Sequence, residues 1–239
     1  MISNRPLQLT VTAAETNVSP CLLPTSKLRK SRNLPCMSRC RLALVFLGFT
    51  AWMLTCGISV AASFSTVVID AGHGGFDRGG IRSNIIPEKG VALDVARRLR
   101  TYLADAGFRT VMTRSHDTFV TLDRRVAIAN GQRRAIFVSI HFNSAPRRGA
   151  DGIETFYGSP RAKRLASLIQ RYAMKTTSGE NRGTKRARFY VLRRSRIPAV
   201  LVECGFLTNP QDARRASRPA WRDQLARQIA RAIIDYRRS

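Results

Sequence analysis

From Thr66 onward, short β-branched runs alternate with stretches of helical periodicity, the pattern of a sheet covered by helices. Thr66 to Asp70 (TVVID) predicts a first strand, and a glycine-rich loop follows it. A helix then begins at about Glu88, with apolar residues at Ala92, Val95, Ala96, Leu99, Tyr102, Leu103 and Ala106, and Gly107 stops it. Phe108 to Thr113 predicts a second strand and Leu122 to Asn130 a helix. Ala135 to His141 (AIFVSIH) is almost wholly apolar, as a strand buried on both faces is. Ile153 to Tyr157 predicts a fourth strand, and Leu165, Ala166, Ile169 and Tyr172 stripe a helix over Ala162 to Ala173. Beyond a basic loop, strands are expected at Phe189 to Leu192 and Ala199 to Glu203, and Trp221, Leu225, Ile229, Ile233 and Tyr236 mark a last helix. The expected fold class is α/β, a single domain over 63–239 with a mostly parallel twisted sheet of about six strands and helices on both faces.

The N-terminal quarter has a different pattern. Residues 1–36 are polar, basic and rich in Ser and Pro, which fits an extension that is disordered or untranslated, with translation starting at Met37. Arg39 and Arg41 precede an uncharged run from Leu42 to Ala62 that closes on Val60, Ala61 and Ala62. Residues 37–62 therefore predict a secretory signal cleaved after Ala62. The run is also long enough for a retained N-terminal membrane anchor. Either form exports the domain, to the periplasm, the cell wall or the extracellular space.

Four of the five cysteines (Cys21, Cys36, Cys40, Cys56) precede that cleavage point, so the domain keeps only Cys204 and no intrachain disulfide framework. Removing residues 1–62 takes away seven Lys/Arg and one Glu from totals of 41 and 15, leaving 34 basic and 14 acidic residues, a formal +20. Such a charge suits an anionic partner, whether nucleic acid, cell wall or membrane surface, and equally suits a solvated arginine-rich surface. Charge alone does not choose among them.

Chemistry concentrates at the strand ends. In an open α/β sheet ligands bind beyond the carboxyl ends of the strands. His73 follows the first strand by three residues, His141 closes the third, Glu203 closes the last, and Glu88 sits in the first turn of a helix. Two imidazoles and a carboxylate form a common catalytic zinc set, and a second carboxylate nearby moves protons. Taken singly, His73 also reads as a loop histidine, Glu88 as an acid favoured by the helix dipole, and His141 as a strand-end surface residue. The glycines around His73 (Gly72, Gly74, Gly75, Gly79, Gly80) do not follow a phosphate-loop spacing, because Asp77 stands where the third glycine belongs.

Four sequence blocks bring these residues together. They are Ile69-Asp70-Ala71-Gly72-His73-Gly74-Gly75-Phe76-Asp77-Arg78-Gly79, Glu88-Lys89-Gly90-Val91-Ala92-Leu93, Ser139-Ile140-His141-Phe142-Asn143, and the run from Pro198 through Glu203 to Asp212. With Thr113-Arg114, Asp117, Leu122, Arg125 and Ala129-Asn130, they make the domain resemble the zinc-dependent N-acetylmuramoyl-L-alanine amidases of the Amidase_3 family. The resemblance implies one catalytic zinc held by His73, Glu88 and His141, and Glu203 as catalytic base. The reaction would be hydrolysis of the amide between N-acetylmuramic acid and L-alanine in peptidoglycan, in wall remodelling, daughter-cell separation or turnover. Asn143 and Arg125 are candidate substrate contacts, with a buried pairing of Arg125 to Asp117 or Asp123 as the alternative. The basic loop from Lys175 to Arg188 is expected to face either peptide carboxylates or anionic wall polymers. Some family members carry an inserted helix that blocks the zinc until a partner displaces it. Here the corresponding connection is only Gly158 to Arg161, so an open site that needs no activator protein is expected.

Other readings are weaker. A basic nucleic-acid-binding protein is at odds with the export signal, so no nucleic-acid partner is expected, and a wall-binding module without catalysis is at odds with four intact site residues. His116, in Ser-His-Asp-Thr, lacks a nucleophile elbow and reads as a loop histidine. Strand alternation sends Cys204 to the face opposite Glu203.

Overall fold

The computed structural model describes residues 64–80, 84–147 and 149–239. The N-terminal extension and the signal or anchor segment lie outside the described residues. Six strands form one sheet: β1 (Thr66–Ala71), β2 (Arg109–Met112), β3 (Ala135–Asn143), β4 (Ile153–Tyr157), β5 (Asn181–Arg186) and β6 (Ala199–Phe206), in the order β2-β1-β3-β6-β4-β5. All neighbours run parallel except β4, which is antiparallel to β6. Among the described residues six α-helices accompany the sheet: α1 (Glu88–Asp105), α2 (Leu122–Asn130), α3 (Lys163–Ala173), α4 (Tyr190–Arg194), α5 (Pro210–Ser217) and α6 (Pro219–Arg238). Among the described residues no helix is long and apolar enough to cross a membrane.

Strand alternation assigns each residue of the central strands to one face. Val67 and Ile69 of β1, Ile136 and Val138 of β3, and Val200, Val202 and Cys204 of β6 pack with Leu99 of α1, Leu165 and Ile169 of α3, and Leu225 and Ile229 of α6. The intervening Val68, Phe137, Ala199 and Leu201 join a smaller cluster with Ala129 of α2 and Val191 and Leu192 of α4. Asp70, Ser139, His141 and Glu203 continue this second set toward the strand ends. The polar chemistry therefore lies on the α2/α4 face, and the larger helical layer anchors the sheet from behind.

The basic segment departs from its sequence pattern. The expected strand at Phe189 to Leu192 is instead the short helix α4, and the strand lies earlier, at Asn181–Arg186. The aromatic and β-branched run Phe-Tyr-Val-Leu has strand propensity, but Val191 and Leu192 gain more by packing onto the sheet face. Strand β5 has no apolar alternation; it is an edge strand whose one strand neighbour is β4. Helix α5 was also absent from the hydrophobic pattern. It is signalled by Asn209, whose side chain caps the Gln211 and Asp212 amides, and by Pro210 in the first turn.

A buried ion pair joins β1 to α2. Asp70 is 1 % exposed and Arg125 3 %, and Nη1 of Arg125 lies 2.7 Å from Oδ1 of Asp70. Thr113 Oγ1 and Ser139 Oγ each donate to the Asp70 carboxylate at 2.6 Å. Burial pushes the Asp70 carboxyl up, but Arg125, Ser139 and Thr113 together hold it below the usual range. Asp70 therefore contributes stability that is present above the unfolded carboxylate value of about 4 and is lost as pH falls through its lower folded value. Arg125→Leu, which strands the buried carboxylate, is expected to cost about 3–5 kcal/mol in urea unfolding at pH 7. The stability advantage of wild type over Asp70→Asn should shrink between pH 6 and pH 3, and an advantage that grew on acidification would contradict this account.

Candidate metal centre

Three elements deliver the candidate ligands. His73 follows β1 at a left-handed φ of 59°, Glu88 is the first residue of α1, and His141 lies in β3 directly beside Glu203 of β6 in the sheet register. Their ligand atoms all lie within 4.8 Å of one another, and the group could bind a metal ion. Glu88 sits between the rings, with Oε1 2.9 Å from His141 Nδ1 and Oε2 3.1 Å from His73 Nε2. Oε1 also accepts the Phe142 amide at 2.9 Å. His73 Nδ1 contacts Asp77 Oδ2 at 2.8 Å, which orients the ring with Nε2 facing Glu88.

The donor set fits a tetrahedral ion. Zinc–ligand bonds of about 2.0–2.1 Å place neighbouring ligand atoms about 3.3 Å apart, so the Glu88 spacings of 2.9 and 3.1 Å would open slightly and wider spacings within the 4.8 Å group would close. The electrostatics agree. Burial pushes Glu88 up, yet the two imidazoles hold it well below the carboxylate range, and Glu88 in turn raises both His141 and His73 against their burial. This much negative charge facing two nitrogen donors calls for positive charge between them, supplied by protons or by a cation.

The loop that carries His73 is clamped through its carbonyls. Arg125 donates to Ala71 O, His73 O and Val120 O as well as to Asp70, and Arg114 donates to Ala71 O, Gly72 O, Lys89 O and His116 O. Asp117 accepts the Gly75 amide and the Lys89 ammonium. Two glycines are required by close approach. A Cβ on Gly72 would stand 2.4 Å from His141 Cε1, and one on Gly79, at φ 72°, would stand 2.6 Å from Glu88 Oε2.

Glu203 lies on the floor of a pocket of about 500 Å³ lined also by His73, His141, Phe119, Leu122 and Phe189. Its Oε2 is sealed from solvent and has no hydrogen-bond partner. Burial pushes its carboxyl up to about 7, opposed by His141. A buried carboxylate oxygen left without a partner beside two imidazoles and a second carboxylate is poised to accept a proton.

The two expected substrate contacts are placed differently. Arg125 borders the pocket and is buried, with its guanidinium donating to Asp70 and three backbone carbonyls. The partner is Asp70, not Asp117 or Asp123. Asn143 Nδ2 donates to Glu154 Oε1 at 2.7 Å, and its Oδ1 accepts the Ser144 amide. Glu154 went unnoticed in the sequence. It is 5 % exposed, directly opposite Glu203 across the β4–β6 pair, and binds Lys185 Nζ at 2.6 Å. An acid inside a short strand of β-branched and aromatic residues was its available signal. His116 is exposed and away from the pocket lining, and Cys204 is buried on the opposite face.

An α/β sheet with two histidines and a carboxylate gathered at its strand ends defines the class of protein. Residues 67–235 match the Amidase_3 family, described as N-acetylmuramoyl-L-alanine amidase, and the chain belongs to this family. It is 38% identical over 177 residues to the N-acetylmuramoyl-L-alanine amidase LytC of Bacillus subtilis, covering 72% of this chain and 36% of LytC. The chain thus spans about a third of that relative. Among solved structures, the amidase AmiC2 of Nostoc punctiforme is 39% identical with a TM-score of 0.70, covering 73% of this chain and 97% of that one. An N-acetylmuramoyl-L-alanine amidase from Clostridium difficile 630 is 34% identical with a TM-score of 0.70, covering 74% and 98%.

The His73–Asp77 contact predicts a graded effect. Asp77→Ala is expected to weaken zinc binding by about 10- to 100-fold in competition with a chromophoric chelator, with the thermal unfolding of the metal-free protein little changed. Unaltered zinc affinity would remove Asp77 from the site.

Proposed function

We propose that this protein is a zinc-dependent N-acetylmuramoyl-L-alanine amidase that cleaves the bond between the lactyl group of muramic acid and L-alanine in peptidoglycan. The observation that carries the proposal is the placement of Glu203, with its unpartnered Oε2, beside His73, Glu88 and His141 at one sheet edge. Membership of the amidase family supports the choice of substrate.

In this reading His73, Glu88 and His141 hold the ion. When bound, zinc supplies Lewis-acid polarisation of the scissile carbonyl and acidifies water. Glu203 takes the proton of the attacking water at its carboxylate and returns it to the leaving amine nitrogen, so the carboxylate is restored after each turnover. A carboxyl raised by burial suits that double duty better than an exposed one, because it holds a proton less reluctantly near neutral pH. Asp77 fixes the His73 ring, while Arg114 and Arg125 fix the backbone beneath it. The pocket's apolar wall, with Phe119, Leu122 and Phe189, limits water around the reacting amide.

Between β4 and α3 the chain has only Gly158, Ser159 and a 3-10 turn at Pro160–Ala162. We place no blocking helix there and assign the enzyme an open site. Export, through the segment before Ala62, would deliver it to the wall.

Purified peptidoglycan treated with the enzyme should release glycan lacking peptide, identified by mass. Chelation should abolish this release and zinc should restore it, whereas cleaved sugar–sugar bonds would overturn the assignment. Glu203→Gln is expected to lower kcat by about 10²–10⁴-fold while zinc remains bound. A large rise in wild-type rate on adding an activator protein would count against the open site.

A further inference from the structure

The wall of the pocket formed by α4 belongs to an unusually one-sided stretch. From Asn181 to Val202 the chain has seven Lys/Arg and no Asp or Glu. Five of these cations matter to the pocket approach, and they fall into two groups. Arg182 pairs with Glu180, and Lys185 with Glu154. Arg186, Arg188 and Arg193 are exposed and make no ion pair with any described residue. With Gly158 and Ala187 they line a depression of about 630 Å³.

This depression adjoins the metal-centre pocket. The segment Arg188 to Arg193 serves both: Arg188 and Arg193 border the basic depression, whereas Phe189, Tyr190 and Val191 border the pocket that contains Glu203. Phe189 is braced edge-on by Phe156 of β4 at 5.0 Å, and the Arg193 guanidinium lies 5.7 Å from the Tyr190 ring centre. The distance is also suitable. The Gly158 amide donates to Ala199 O, four residues before Glu203 on the same strand, a separation of about 13 Å along β6. An extended peptide of four or five residues spans about 13–18 Å. The rim near α2 differs in character, with the exposed rings of Phe76 and Phe119 stacked at 4.3 Å. Ring faces suit sugars, and unpaired guanidinium groups suit carboxylates.

We propose that Arg186, Arg188 and Arg193 receive the free carboxylates of the stem peptide on the amine side of the scissile bond, which makes stems with unblocked carboxylates better substrates than amidated ones. The inference rests on the amidase reading above and adds substrate selectivity to it. Each guanidinium is exposed, so its share is modest and the three act together.

The test uses the zinc-loaded full chain and two purified muramoyl peptides of one sequence, one with free carboxylates and one with carboxamides. Wild type should prefer the free-carboxylate substrate by about tenfold in kcat/KM, carried by KM. In the triple variant Arg186→Ala, Arg188→Ala, Arg193→Ala the preference should fall to near one, and the corresponding triple Lys variant should keep most of it. Equal use of both substrates by wild type, or a preference that survives the triple Ala change, would overturn the proposal. Should the triple Ala variant melt early, the single Arg188→Gln and Arg193→Gln variants must each lower the preference, and their failure to do so would be equally decisive. Loss of binding to poly(glycerol phosphate) with the carboxylate preference intact would assign these arginines to a wall polymer instead. Cleavage of neither peptide by wild type would be a failure of the amidase reading itself.

Discussion

The pairing of Asp70 with Arg125 underlies the geometry of the candidate metal centre. A lone carboxylate at the end of a fully buried strand would be costly, and the cost is offset only because Arg125, Thr113 and Ser139 converge on it. Once Arg125 is held by Asp70, its remaining donors fall on the carbonyls of Ala71 and His73. The loop is thereby fixed from below by a group anchored in the sheet. Arg114 repeats the device from the end of β2, through Ala71 O and Gly72 O. The two arginines turn a glycine-rich turn, otherwise among the most mobile kinds of segment, into a rigid mount for His73.

The remaining site residues inherit their positions from regular structure. His141 and Glu203 are register partners on adjacent parallel strands, so their relative placement is a property of the sheet. Glu88 is tied to β3 by the Phe142 amide, which fixes one carboxylate oxygen before any ion arrives. Each side chain that would touch a metal is thus held by backbone pairing, by a helix start or by a clamped loop. The close approaches at Gly72 and Gly79 show how little space is left for change.

The layered α/β class, the strand-end residues and the grouping of His73, Glu88, His141 and Glu203 were legible because apolar periodicity and short motifs are local in sequence. Strand β5 was not. Its residues, Asn181–Arg186, alternate nothing apolar, and pairing to β4 through the backbone leaves no mark on side-chain pattern. Phe189 to Leu192 misled for the opposite reason: a run with strand propensity became helical where two of its residues could seal the sheet face. Arg125 illustrates the same limit within the site. Its sequence neighbourhood suggested a substrate contact or a pairing with Asp117 or Asp123, yet its ion-pair partner Asp70 is 55 residues away in the chain.

By itself the sequence determined which residue types stand at the strand ends, because histidines, carboxylates and glycines are chemical identities that do not depend on distance. It also determined the two-faced burial of β3 through its almost wholly apolar run. Only the tertiary structure decided which of the motif residues face the pocket and which stand behind them. That division depends on register and on long-range pairing: Asp70 with Arg125, and Glu154 opposite Glu203. These are contacts between segments far apart in the chain, set by how the sheet assembles.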